Sequence, residues 1–211
     1  MNSRIALYFS VVLPGLFAFM AIFFFVISLR TLFRRRPFIF SSRWFFVFLM
    51  VAFAPTMLHP LVLLISGREP NPISLISPII FVVLTVFFWK QMGGYISIAA
   101  GDTYFRESLL SAITSLGYTP VEMISRIRIK ETTEEFQIAV QGWIGTAQLK
   151  PVSKYSAPTL KKIVRNMNRY FRNSRGKMNY TLSYFYLIFG FLMLFLCLAL
   201  LSMDLSVAAD K

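Results

Sequence analysis

The chain has one cysteine, Cys197, and one histidine, His59. A single thiol excludes an internal disulfide and any thiolate metal cluster, and Cys197 sits in a long apolar run where it reads as a small packing residue. His59 lies in the apolar stretch Ala54-Pro55-Thr56-Met57-Leu58-His59-Pro60. The polar part of the chain therefore has no imidazole for a Ser-His-Asp or Cys-His arrangement or a His-based metal site. Phosphate-loop, dinucleotide-fingerprint and H-E-x-x-H motifs are missing as well. Acidic residues are few, 9 against 22 Lys and Arg, which leaves a net charge of +13. We expect no cofactor, no metal and no enzymatic activity.

What the chain has instead is apolar sequence: 56% hydrophobic and 17% aromatic residues over 211 positions, with a mean hydropathy of +0.63. That composition is expected of an integral membrane protein with a modest polar portion. Four apolar runs, at about 5–29, 44–65, 73–89 and 180–203, approach or exceed the roughly 20 residues a helix needs to cross a bilayer. The first is longer than the apolar core of a signal peptide and no small-x-small cleavage site follows it, so it reads as a retained span. The connection from Arg30 to Arg43 carries Arg30, Arg34, Arg35, Arg36 and Arg43 with no acidic residue. By the positive-inside rule it is cytoplasmic, which places both termini outside a bacterial-type inner membrane in a multi-pass arrangement. Arg68 is offset by Glu69 in the short outer connection. The tail ending in Asp210 and Lys211 is likewise external.

Between the third and fourth spans lies a polar island, 93–177, whose apolar period changes from two to three or four and back. Residues 95–100 read as a strand, and 104–116 as a helix closed by Gly117 and Pro120. Further strands fall at 123–130, 136–141 and 146–150, the last three forming a meander. A helix opens at Ser156 with Pro158 in its first turn. The expected architecture is an α-helical membrane protein of four transmembrane helices with a small cytoplasmic α/β domain, β-α-β-β-β-α, inserted before the last span. The domain divisions are 1–92, 93–177 and 178–211.

The closing helix of the island carries the strongest chemical signal. Leu160, Ile163, Val164, Met167, Tyr170 and Phe171 share one face, and Lys161, Lys162, Arg165, Arg169 and Arg172 occupy the rest. Cations next to a span attract an anionic leaflet at about 1 kcal/mol each, so these five are candidate contacts for lipid headgroups or a partner. Trp143, bracketed by Gly142 and Gly145, is either a buried core anchor or an aromatic displayed to membrane or partner; the core anchor is the favoured reading. His59 falls about 22 Å along its span from Trp44, near the outer headgroups, so it reads as interfacial, with an intramembrane polar site as the alternative. Glu131, Glu134 and Glu135 read as solvated turn carboxylates.

These features point to a non-enzymatic membrane protein whose cytoplasmic domain binds the anionic leaflet and a protein partner, or a second copy of itself, as a scaffold, assembly factor or regulatory subunit. A subunit of a transport or channel assembly is the alternative, and a lipid-modifying enzyme the third. Basic charge also suits nucleic acid, but a domain tethered to the bilayer at both ends argues against it.

Overall fold

The computed structural model describes residues 11–67, 71–174 and 176–209, with side chains through 202. Among these the elements run α1 (Leu13–Arg34), β1 (Phe38–Ser41), α2 (Ser42–Ile65), α3 (Ile76–Gln91), β2 (Tyr95–Ile98), α4 (Asp102–Thr114), β3 (Pro120–Glu122), β4 (Arg126–Ile129), β5 (Glu135–Gln141), β6 (Thr146–Pro151), α5 (Ala157–Asn173) and α6 (Thr181–Ala209). Short 3-10 turns precede α3 and α5. Helices α1, α2, α6 and the stretch Pro72–Gln91 are each long and apolar enough to cross a membrane. The first six residues of the expected first span, the Arg68–Glu69 pair and the Asp210–Lys211 tail lie outside the described residues.

The contacts divide the described residues into two compact units. One takes its residues from Met1–Phe24, Arg43–Met92 and Ile188–Lys211; the other comprises Phe25–Ser42 and Gly93–Leu187. The first unit is built from aromatic contact between apolar helices. Phe23 of α1 stacks on Phe48 of α2 with centroids 3.4 Å apart, Phe24 meets Phe189 of α6, and Phe46 of α2 meets Trp89 of α3. The hydroxyl of Ser77 bonds to the Met57 carbonyl at 3.3 Å, and that of Thr85 to the Phe81 carbonyl at 2.6 Å, so these polar side chains are satisfied within the apolar unit.

The second unit is a two-layer structure: a six-stranded antiparallel sheet in the order β1-β2-β6-β5-β4-β3, with α4 and α5 on one face. Two expectations are corrected here. The connection between the first two spans is not a bare loop, because α1 continues to Arg34 and Phe38–Ser41 then forms an edge strand, pairing Phe38 with Ile98 and Ser41 with Tyr95. The strand expected at 123–130 is confined to β4, Arg126–Ile129; residues 123–125 are a turn, and the strand β3 before it, which was not expected, pairs back with Val121 opposite Arg128. The first correction has a simple physical cause. Without β1, β2 would expose an unpaired apolar edge, and the alternating Phe38-Ile39-Phe40 segment supplies the missing partner.

The alternation sorts the two faces. Ile39, Tyr95, Ala147, Leu149, Ile138, Phe136, Ile127 and Ile129 turn toward the helices, joined by Phe105, Leu109 and Ile113 of α4 and by Leu160, Ile163, Val164, Met167 and Phe171 of α5. Each fully buried Leu, Ile, Phe or Met contributes about 1.5–3 kcal/mol. The other face changes character across the sheet: Phe38, Phe40, Ile96 and Ile98 on β1 and β2 give way to Gln148, Lys150, Gln137, Arg126 and Arg128 further along. Arg106 ties α4 to β3, bonding Asp102 at 3.0 Å and also Glu122.

The segment leading into α6 is fastened to the sheet. Asn179 donates its backbone N–H to Ala99 and its side-chain amide to the carbonyls of Gly142, at 2.6 Å, and Trp143; Leu182 then bonds to Ile144. Gly145 permits this approach. Its φ is +73°, and a Cβ there would stand 2.5 Å from the Asn179 carbonyl oxygen.

Candidate functional site

Four arginines meet at the free edge of β1. Helix α1 ends where Arg35 adopts φ 47° and donates its N–H to Thr31 at 3.0 Å, and Pro37 cannot continue the helix. This turn brings Arg30 and Arg34 of α1, Arg36 of the turn and Arg172 of α5 around a cavity of about 590 Å³, completed by Pro37, Phe38, Ile39 and Asn168. Among the described residues no carboxylate lines it.

The cavity is held by specific contacts. The Arg30 guanidinium lies over the Phe38 ring, 4.7 Å from its centroid, a stacking arrangement that leaves its edge donors available. Asn168 occupies the place of a further strand: its Oδ1 accepts the Ile39 N–H at 3.2 Å, and its amide approaches the Ile39 carbonyl at 3.5 Å. An otherwise open sheet edge is thereby covered by one side chain. Arg172 donates through Nε to the Asn168 carbonyl at 3.3 Å, so the same turn of α5 positions both residues. Arg34, Arg36 and Pro37 also wall a second cavity of about 490 Å³ with Arg35, Phe33, Tyr104, Ser174, Gly176, Met178 and Tyr180, again with no carboxylate among the described residues.

No family model, curated protein or solved structure matches this chain. Chemical meaning therefore rests on the geometry. Arginine stays protonated throughout the physiological range, and none of the eight lining residues of the first cavity offers a nucleophile or a general base. The arrangement can attract and orient an anion.

Of the residues singled out in the sequence, Arg172 enters this cavity. Arg169 lines a separate groove of about 380 Å³ with Ser111, Asn166 and Tyr170, while Lys161, Lys162 and Arg165 are exposed along α5. Among the described residues no salt bridge engages any of the five. The favoured reading of Trp143 is corrected: it is 76% exposed, at the β5–β6 turn, because the tight turn closes on Asn179 through its backbone and turns the ring outward. Ile124, in the β3–β4 turn, is 98% exposed. Since β4 starts opposite Gln137 and β5 runs on to Gln141, both turns leave the same end of the sheet. His59 is half-buried on α2 between Pro55 and Pro60.

The carboxylates of the β4–β5 turn are engaged separately instead of simply solvated. Thr119 holds the Glu131 carboxyl below the usual range, chiefly through its side-chain hydroxyl and then through its N–H, which Glu131 accepts at 3.0 Å; Glu134 accepts from Thr159, and Glu135 meets Arg126.

Sequence reasoning gave Arg30, Arg34 and Arg36 a purely topological role and passed over Asn168. For the first group the sequence offers only a short apolar run, Phe38-Ile39-Phe40, bounded by Pro37, and such a run does not by itself distinguish a strand from a buried helical segment. Asn168 had none, because its value lies in facing an edge 129 residues away in the chain.

Proposed function

We propose that the chain is a non-enzymatic, multi-pass protein of a bacterial-type inner membrane whose mixed domain lies in the cytoplasm. There it engages the anionic leaflet and a protein partner, as a scaffold, assembly factor or regulatory subunit. The observation that carries this reading is the concentration of cations at the end of α1 and along α5, none of which is in a salt bridge among the described residues. On α1 the charged turns follow directly on the apolar span, so the same arginines that orient the helix are in reach of headgroups. Exposed Trp143 supports the reading too. Its turn is hydrogen-bonded to the entry of α6, the position where a tryptophan with one apolar and one polar side belongs at a bilayer interface.

Two measurements test it. Reporter fusions after Arg36 and after Arg175 are expected to read as cytoplasmic and a fusion at Lys211 as external; a cytoplasmic Lys211 would overturn the topology. Purification in mild detergent is expected to retain anionic lipid and a defined protein partner or a second copy. A stoichiometric transport complex would instead favour the channel-subunit reading, and a chemically altered lipid the enzyme reading.

A further inference from the structure

We propose that the arginine cavity at the edge of β1 is a specific binding site for one phosphate-bearing anion, supplied by a phospholipid headgroup or by a free phosphate compound. The inference deepens the leaflet-binding reading above. It differs in one respect: general attraction needs only net charge, whereas this site needs a particular set of side chains.

Three observations separate the cavity from ordinary surface charge. Arg30, Arg34, Arg36 and Arg172 come from two stretches of chain more than a hundred residues apart and are brought together only by β1 joining the sheet. Like charges gathered this closely repel one another, and among the described residues no carboxylate lines the cavity to relieve them. A bound anion with several acceptor oxygens does so. Two of the arginines are also positioned before any ligand arrives, Arg30 by the Phe38 ring and Arg172 by the Asn168 carbonyl. A guanidinium fixed in this way presents its planar fork to phosphate, with less freedom lost on binding than a free surface lysine would lose. The volume, about 590 Å³, lies within the range of small-molecule sites and exceeds what a bare phosphate fills, which leaves room for the polar group esterified to it. Because Arg30 and Arg34 belong to the last turns of an apolar helix, a headgroup held there would leave its acyl chains beside α1.

The test uses the full chain purified in an uncharged maltoside detergent. Binding is read by native mass spectrometry and by the shift in melting temperature, at matched ionic strength. The probes are inorganic phosphate, a soluble short-chain phosphatidylglycerol, and a zwitterionic short-chain phosphatidylcholine of equal length. Saturable binding of phosphatidylglycerol over phosphatidylcholine is expected, with Arg30→Gln or Arg172→Gln each weakening it about tenfold or more, while the paired change Lys161→Gln and Lys162→Gln leaves it within about twofold. Arg30→Lys, which keeps the charge and loses the fork, serves where Arg30→Gln lowers the melting temperature of the free protein, and is expected to weaken binding as well. Binding of inorganic phosphate with the same variant pattern assigns the site to free phosphates; binding of the lipid alone assigns it to headgroups. Equal weakening by the lysine pair and the arginine changes would overturn the specific site and leave diffuse leaflet attraction standing. No preference for the anionic probe would overturn both.

Discussion

Helices α3 and α5 are of nearly equal length and carry opposite lessons. On α5 the apolar side chains Leu160, Ile163, Val164, Met167 and Phe171 are all buried, and the cations face outward. On α3, Pro78 is the buried residue, whereas Ile79, Ile80, Val82, Val83, Leu84, Val86 and Phe87 are exposed. In water a helix like α3 would be an aggregation site; in hydrocarbon it is ordinary, since lipid is as apolar as those side chains. On the membrane reading proposed above, burial inside the protein measures stability for α5 and not for α3, whose apolar surface lipid would satisfy.

The strongest way to break that comparison is to truncate each helix. Phe171→Ala should destabilise the sheet unit by about 3–5 kcal/mol, through lost contact and the cavity left behind. Ile80→Ala should cost under about 1 kcal/mol, because its side chain leaves lipid-facing surface and no void. Chemical unfolding in detergent, followed by circular dichroism and limited proteolysis, measures both, and equal losses would refute the distinction.

A smaller effect is expected at the junction between sheet and last span. Gly145→Ala places a methyl group against the Asn179 carbonyl in a backbone conformation that L-residues avoid, so a loss of about 1–3 kcal/mol is expected. Hydrogen exchange should quicken at Asn179 and Leu182 while α5 amides stay protected. Uniform quickening would mean that the junction is part of the sheet unit's cooperative core.

The smallest effect concerns Glu131, whose carboxyl is held below its usual range chiefly by its bond to Thr119. A group with a depressed folded pKa stabilises the fold above its unfolded value and loses that contribution as pH falls through the folded value. Wild type should therefore lose slightly more stability than Glu131→Gln on acidification below the normal carboxylate range. The two melting curves should converge at the acid end. Parallel curves would show that the Thr119 contact contributes nothing.

The two units also differ in how far they could be read beforehand. The four long apolar helices were legible because apolarity on every side is a local property of a run such as 44–65. The core stripe of α5 and the buried Ile127 and Ile129 were legible for a related reason, since period alone assigns a face. β1 was not, because its four residues follow an arginine cluster and only the unpaired edge of β2 makes them a strand. Trp143 was misjudged for the same kind of reason: the Gly-Trp-Ile-Gly spacing allows either orientation of the ring, and Asn179, far along the chain, decides it.

By itself the sequence determined which segments are apolar enough to span, where the positive charge gathers, and which face of α5 is buried, because composition and period act within one turn or one strand. Only the tertiary structure decided that the first arginine connection belongs to the same sheet as the distant island, with Asn168 covering its edge. It also decided that Arg30, Arg34 and Arg36 share a cavity with Arg172. Those outcomes depend on pairing across more than fifty residues between Ser41 and Tyr95, where hydrogen bonds between backbones fix the register. Such pairing is a property of two strands at once, and no local pattern in either strand specifies its partner.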